Sequence, residues 1–162
     1  MRSRPAGSRI LAGGGGYPAL WLLGLLLGCG PREPRDIAFG EETCSHCHMT
    51  VADARFSAEV ITRTGRTYIF DDVGCLANWL RDEPAPIASA WVWSMAPGEG
   101  WIPAAEAVYV QSDSLHTPMG SGLAAFRPGP AADSLRVRLA GRLMAWDEVR
   151  AGPHPHPPVP AS

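Results

Sequence analysis

The sequence predicts an α+β domain in which β-hairpins pack against a small number of helices. Residues 56–62 and 67–70 are rich in aromatic and β-branched side chains, and Thr64-Gly65 between them is typical of a hairpin turn. The apolar residues that follow recur at helical spacing and form one face: Val73, Leu76, Ala77 and Leu80. This mixture favours an α+β domain, and two similar small halves are compatible with it.

The first predicted helix has a signal at each end. Asp71 and Asp72 precede its apolar face, and aspartate at this position accepts hydrogen bonds from the free N–H groups of the first turn. Pro84 and Pro86 follow it, and proline cannot continue a helix. We therefore expect both aspartates to cap the helix, with hydrogen bonding to a metal ligand as the alternative, and we expect the helix to end before Pro84.

The second part of the chain predicts further strands and one more helix. Residues 87–93 and 107–111 are predicted strands on either side of the Gly/Pro-rich turn at 97–100. A second helix is predicted at 130–139, because a proline opens it and a glycine follows it. Residues 142–146 predict a last strand.

The N-terminus has the order of a secretory signal, with arginines before the apolar run at 19–27. That run is too short to span a bilayer, which takes ~20 apolar residues. It ends in Leu26-Leu27-Gly28-Cys29, which resembles the bacterial lipoprotein cleavage box. We expect residues 1–28 to be a signal peptide and Cys29 to be acylated, with an outer-membrane anchor favoured by Gly30. The alternative is an ordinary signal peptide whose cleavage site happens to precede a cysteine.

The predicted mature chain has three parts. Polar, proline-containing residues 29–40 form a tether, residues 41–151 form the folded domain, and the Pro-rich residues 152–162 form a disordered tail. The formal net charge is only -2, so no strong field draws in nucleic acid, and we expect no nucleic-acid partner.

The remaining thiols indicate metal or redox chemistry. If Cys29 is acylated, the free thiols are Cys44, Cys47 and Cys75, and an odd number leaves one thiol outside any disulfide scheme. The run Cys44-Ser45-His46-Cys47-His48-Met49 places two thiols, two imidazoles and a thioether close together. Thiolate and thioether are soft ligands that select Cu(I). We therefore expect one Cu(I) ion at Cys44, Cys47 and Met49.

Two alternatives to copper remain open. A Cys-x-x-Cys pair at a helix N-terminus exchanges disulfides, although residues 49–53 lack helical periodicity. His46 and His48 could complete a zinc or Cu(II) site, although the chain has no second Cys-x-x-Cys. A thiol-disulfide oxidoreductase and a zinc-stabilised structural lipoprotein are thus the rival functions. The sequence shows no recognisable nucleophile–base pair or carboxylate dyad, so we expect a binding protein and not an enzyme.

Motifs spread over residues 44–126 resemble the family of nitrous-oxide-reductase accessory lipoproteins, NosL. They are Cys44-x-x-Cys47-x-Met49, Phe70-Asp71-Asp72-x-Gly74-Cys75, Trp101-Ile102, Ala107-x-Tyr109-Val110, Thr117-Pro118-Met119-Gly120 and Gly122-Leu123-x-Ala125-Phe126. The resemblance implies two related ββαβ halves and a periplasmic copper chaperone for assembly of nitrous oxide reductase in denitrification. Its expected partners are that enzyme and membrane copper-handling proteins.

Three residues of the matched motifs, or next to them, have more than one interpretation. The family typically has Gly where this chain has His48, so the imidazole is either an extra ligand or an obstacle to the turn. Cys75 lies among apolar residues of the predicted helix, which favours a buried structural thiol over a ligand. Met119 lies in a Pro-Met-Gly turn, an unusual place for a core methionine, and is a further candidate ligand.

Overall fold

The structure is a computed structural model, which describes residues 32–83 and 86–152. The predicted signal peptide, Cys29, Pro84 and residues 153–162 of the predicted tail lie outside these ranges. No helix in the described ranges is both long and apolar enough to cross a membrane.

The described part of the chain forms seven strands and three helices. The strands are Ala58–Thr62 (β1), Thr67–Phe70 (β2), Ile87–Trp93 (β3), Trp101–Pro103 (β4), Val108–Gln111 (β5), Leu123–Phe126 (β6) and Arg142–Met144 (β7). The helices are Val73–Asp82 (α1), Pro130–Arg138 (α2) and Trp146–Ala151 (α3).

The strands form two antiparallel sheets of the same design. The first sheet has the order β2-β1-β3-β4 and the second has the order β6-β5-β7. In each sheet two strands pair as a hairpin, a helix follows, and the next strand returns to the other side of the first. The α+β class and the two related ββαβ halves are therefore confirmed, and β4 and α3 are additions to the two halves.

The first hairpin and the first helix lie where the sequence predicts them. β1 pairs with β2 from Ala58–Phe70 to Ile61–Thr67, and α1 ends at Asp82, before the prolines. Asp72 is the N-cap and accepts a hydrogen bond from Gly74 N at 2.7 Å. Asp71 does not cap the helix, so that part of the prediction is wrong.

Two predictions for the later elements need correction, and one strand is missing from the prediction. The turn at 97–100 returns the chain at once to β4, so residues 87–93 pair with Trp101–Pro103, and β5 belongs to the other sheet. β6 was not predicted from its pattern, because two of its four residues are alanine, which has little preference for strands. The last strand ends at Met144, and Trp146 begins α3, where Glu148 accepts a hydrogen bond from Ala145 N at 2.7 Å.

The start of the described chain lies against the first sheet. The carbonyl of Arg32 accepts hydrogen bonds from Ser89 Oγ at 2.9 Å and from Trp91 Nε1 at 2.8 Å. The N–H of Arg35 donates to Glu59 Oε1 at 3.2 Å. This part of the predicted tether is thus held on β1 and β3.

Candidate metal centre

The Cys-x-x-Cys segment forms a tight loop at the free edge of β2. Its two ends are joined by a bridge between Thr43 and Thr50, and Cys44 N donates to Met49 O at 2.8 Å. Ser45 fixes the loop to the sheet, because its N–H donates to Ile69 O at 2.7 Å and its hydroxyl accepts from Ile69 N at 3.2 Å. These backbone contacts leave the thiols of the loop buried against the core.

His48 occupies the left-handed region of the backbone in this loop, with φ +62°. Glycine adopts this conformation without strain, whereas a side chain with a Cβ is strained there. The N–H of His48 still donates to Cys44 O at 3.1 Å. The departure from the family's glycine therefore leaves the turn intact at the expense of strain, and the imidazole is exposed.

The second segment of the site is the beginning of α1. Asp71 lies just before the N-cap, and Cys75 lies in the first turn of α1. Both side chains are buried, with 2% exposure for Asp71 and 1% for Cys75. Cys75 is buried in the apolar core, as its sequence neighbours predict, and it also lies beside other potential metal-ligating groups, so the structure keeps both of its interpretations open.

The two segments meet in a cluster that we call the thiol cluster: Cys44, Cys47, Asp71 and Cys75. One potential ligand atom from each of the four lies within 4.8 Å of all the others, and all four residues are buried. Cys47 Sγ donates to Asp71 Oδ1 at 3.4 Å. The three cysteines are free thiols. Three sulfur donors and one carboxylate thus converge on a volume small enough for one metal ion.

The protons in the thiol cluster are shared unequally. The pKa of the Cys44 thiol is lowered, because the thiols of Cys47 and Cys75 donate hydrogen bonds that stabilise its thiolate. The same donation raises the pKa of Cys47 to about 12 and raises the pKa of Cys75 as well. Burial raises the pKa of Asp71 to about 7, and the neighbouring Cys44 thiolate adds to this effect. Cys44 is therefore the thiol of the cluster that loses its proton most readily, and Cys47 and Cys75 hold theirs more tightly.

The two methionines named from the sequence differ in their environment. Met49 is 55% exposed, although its backbone closes the thiol loop. Met119 is buried at 7% exposure and belongs to the same apolar core as the three cysteines. Its N–H donates to Asp72 Oδ2 at 3.1 Å, and Asp72 is the residue that follows Asp71 in the chain.

The sequence predicts half of this cluster as metal ligands. The spacing of Cys44 and Cys47 predicts them as ligands, whereas the local pattern favours a capping role for Asp71 and a structural role over a ligand role for Cys75. The signal that could identify them is a second acidic residue and a cysteine next to the predicted start of a helix, both close in sequence to the hairpin that carries the thiol loop. Soft thiolates favour Cu(I), and a set of three thiolates with one carboxylate is also acceptable to Zn(II).

Comparison with known proteins supports the fold and gives a family. No curated protein matches the sequence significantly. The crystal structure of the copper chaperone NosL from Shewanella denitrificans matches with a TM-score of 0.65 and 20% sequence identity, covering 73% of this chain and 96% of that one. That likeness establishes a shared fold. The NosL family model matches residues 37–152, which is most of the chain and includes all four residues of the thiol cluster. The chain therefore belongs to the NosL family.

Proposed function

We propose that this protein is a metallochaperone that binds one Cu(I) ion at the thiol cluster and has no enzymatic activity. The single observation that carries the proposal is the convergence of three buried thiols and a carboxylate within 4.8 Å. Sulfur ligands of this kind favour a soft monovalent cation. The family and the copper chaperone with the same fold support the same cargo.

Binding requires that the protonated thiols lose their protons. The Cys44 thiolate offers the first ligand, and Cu(I) displaces the protons that Cys47 and Cys75 hold at neutral pH. Burial excludes water from the bound ion. The exposed thioether of Met49 lies on the same loop as Cys44 and Cys47, where an incoming ligand from a partner can exchange with it. The thiol cluster is buried, whereas the neutral Met49 thioether on the same loop is exposed. This arrangement suits transfer of the ion better than its permanent retention.

We also propose the destination and the location of the cargo. The protein delivers copper to nitrous oxide reductase through membrane copper-handling proteins, and the acylated Cys29 anchors it to the cell envelope, facing the periplasm. The family name and the order of the N-terminal sequence support this. A host strain without the protein should make nitrous oxide reductase with less copper, and the wild-type gene should restore it. Restoration by Cys44→Ser/Cys47→Ser would contradict this role.

The anchor has a separate test. Wild type should partition with membranes, and Cys29→Ser should remain unacylated. A soluble wild-type protein with an unmodified N-terminus would show that Cys29 is not an anchor.

A zinc-stabilised structural role is the second candidate, and Asp71 is the observation that favours it. A carboxylate is a harder ligand than a thioether, and zinc accepts a mixed cysteine–aspartate set. A disulfide oxidoreductase is less favoured, because Cys44 and Cys47 are 0% and 3% exposed and the residues after Cys47 form no helix but lead irregularly into the bridge at Thr50. A protein substrate needs access to the attacking sulfur.

Paired competition titrations with Cu(I) and Zn(II) chelators, under anaerobic and reducing conditions, test the proposed function. Wild type should prefer Cu(I), and Cys44→Ser/Cys47→Ser should lose most of its affinity for both ions. Asp71→Asn should weaken zinc binding more than copper binding, because only the harder ion depends on the carboxylate. Tighter zinc binding in the wild type would favour the structural role, and unchanged Cu(I) affinity in the double variant would exclude the thiol cluster.

A further inference from the structure

Asp72 accepts more hydrogen bonds than a helix cap requires. Its side chain is fully buried and accepts from Gly74 N at 2.7 Å, which is the cap itself. It also accepts from Thr117 Oγ1 at 2.6 Å, from Met119 N at 3.1 Å and from the hydroxyl of Ser121. Three of these four donors come from one loop of the second half of the domain, between β5 and β6.

That loop is held in one conformation around the carboxylate. The hydroxyl of Thr117 accepts from Gly122 N at 3.3 Å, and the hydroxyl of Ser121 accepts from Leu123 N at 3.2 Å. Gly122 has φ +65°, and a Cβ there would lie 2.4 Å from Ser112 O. The loop therefore has little freedom, and the carboxylate of Asp72 is the group on α1 to which it is fixed.

The hydrogen bonds of Asp72 attach the loop between β5 and β6 close to the thiol cluster. Asp72 lies between Asp71 and the turn of α1 that ends in Cys75, both of which belong to the cluster. The same carboxylate binds the N–H of Met119, whose side chain is buried in the core that contains the three thiols. Charge-assisted hydrogen bonds of this kind are roughly twice as strong as neutral ones.

We propose that Asp72 is a positioning residue for copper binding: it fixes the backbone of Met119 to the start of α1, so that the Met119 thioether reaches the ion from the second half of the domain. This inference rests on the proposed copper function. Asp72 acts through Met119 and does not itself bind the ion. It joins the half that carries the thiols to the half that carries Met119, so that both halves hold the same cargo.

A double-mutant cycle on Cu(I) affinity separates this role from a merely structural one. In Asp72→Asn an amide replaces one carboxylate oxygen, so either Gly74 N or Met119 N loses its acceptor. Asp72→Asn and Met119→Leu should each weaken Cu(I) binding about tenfold, in line with the loss of one hydrogen bond to a charged group. The double variant should bind no more than about twofold more weakly than the weaker of the two single variants, since both remove one interaction.

Several outcomes would overturn the proposal. Fully additive effects in the double variant would show that Asp72 acts independently of Met119, and an unchanged Cu(I) affinity in Met119→Leu would show that the thioether does not bind. If Asp72→Asn does not fold, Thr117→Val and Ser121→Ala remove single donors without changing α1, and the same non-additivity is expected. Asp82→Asn, at the exposed end of the same helix, is the matched control and should bind Cu(I) as wild type does.

Hydrogen exchange at the Met119 amide tests the positioning role of Asp72 without copper, so its outcome is independent of whether the protein binds Cu(I). The amide of Met119 should be protected from hydrogen exchange in the reduced apo protein and should exchange at least about tenfold faster in Asp72→Ala, which removes both carboxylate oxygens. An unprotected amide in the wild type would overturn the positioning role even if copper binds. A protected amide in a wild-type protein that does not bind Cu(I) would overturn the proposed function, and with it the thioether's role.

Discussion

Cys47 Sγ lies 3.4 Å from Asp71 Oδ1 and donates its hydrogen to it, although the two residues are 24 positions apart. This contact joins the thiol loop at the edge of β2 to the beginning of α1. The Cys44-x-x-Cys47 segment and the segment from Asp71 to Cys75 therefore form one site. The contact also links the proton on a thiol to a carboxyl group whose pKa burial raises to about 7.

The pH dependence of copper binding reports how many thiol protons the ion displaces. Because the pKa of Cys47 and that of Cys75 are raised, both thiols are protonated at neutral pH, and Cu(I) must displace their protons. The logarithm of the affinity should therefore rise by about two per pH unit near neutrality, and binding should be lost on acidification. Cys75→Ser should reduce this slope to about one. The same slope in both proteins, in titrations corrected for the chelator, would show that Cys75 is a bystander.

His48→Gly should stabilise the protein by about 1 kcal/mol, because it relieves the left-handed strain at φ +62°. Urea unfolding measures this change. His48→Ala is the matched control, since it removes the imidazole and keeps the strain. Both variants should bind Cu(I) as wild type does, and a loss of affinity common to both would show that the exposed imidazole is a ligand.

The stability of the wild type should fall as pH rises, because of Glu59. The variant Glu59→Gln should not show this fall. Burial raises the pKa of Glu59, Oε2 accepts no hydrogen bond from the described residues, and the nearby Glu42 adds to the shift. The folded state therefore holds this proton more tightly than the unfolded chain, so stability falls as pH rises from the ordinary glutamate pKa through the raised one. At neutral pH the variant should be more stable by about 1 kcal/mol.

Urea unfolding of the apo protein at about pH 4 and about pH 7.5 tests this, on either side of the ordinary glutamate range. Glu41→Gln, at an exposed position, is the control and should follow the wild type. Parallel curves for wild type and Glu59→Gln would contradict the prediction.

Adjacent substitutions after α2 should have opposite effects on stability. Ala140 has φ +49°, and Gly141 N donates to Arg136 O at 2.8 Å, which is the pattern of a left-handed helix end. Ala140→Gly should stabilise by about 1 kcal/mol. Gly141→Ala should destabilise by at least that amount, because its Cβ would lie 2.7 Å from Gln111 O. Equal signs in urea unfolding would show that this end of the helix is misplaced.

The sequence predicts local structure better than it predicts the site. The hairpin of β1 and β2 and the helix α1 follow from apolar periodicity and end signals, which act over a few residues. Asp71 and Asp72 carry the same local signal, yet one caps the helix and the other faces a thiol 24 residues away. The bond between Asp72 and Ser121 spans 49 residues. Such contacts depend on how the two halves pack, and no pattern within either half contains that information.

Copper K-edge X-ray absorption of the Cu(I)-loaded protein tests the central claim most directly, because it identifies the atoms bound to the ion. The shell of wild type should consist of sulfur, and the number of sulfur neighbours should fall in Cys75→Ser, which keeps Cys44 and Cys47 in place. A shell of nitrogen and oxygen ligands, or a spectrum unchanged when Cys44, Cys47 and Cys75 are all replaced by Ser, would contradict the assignment of the thiol cluster as the copper site.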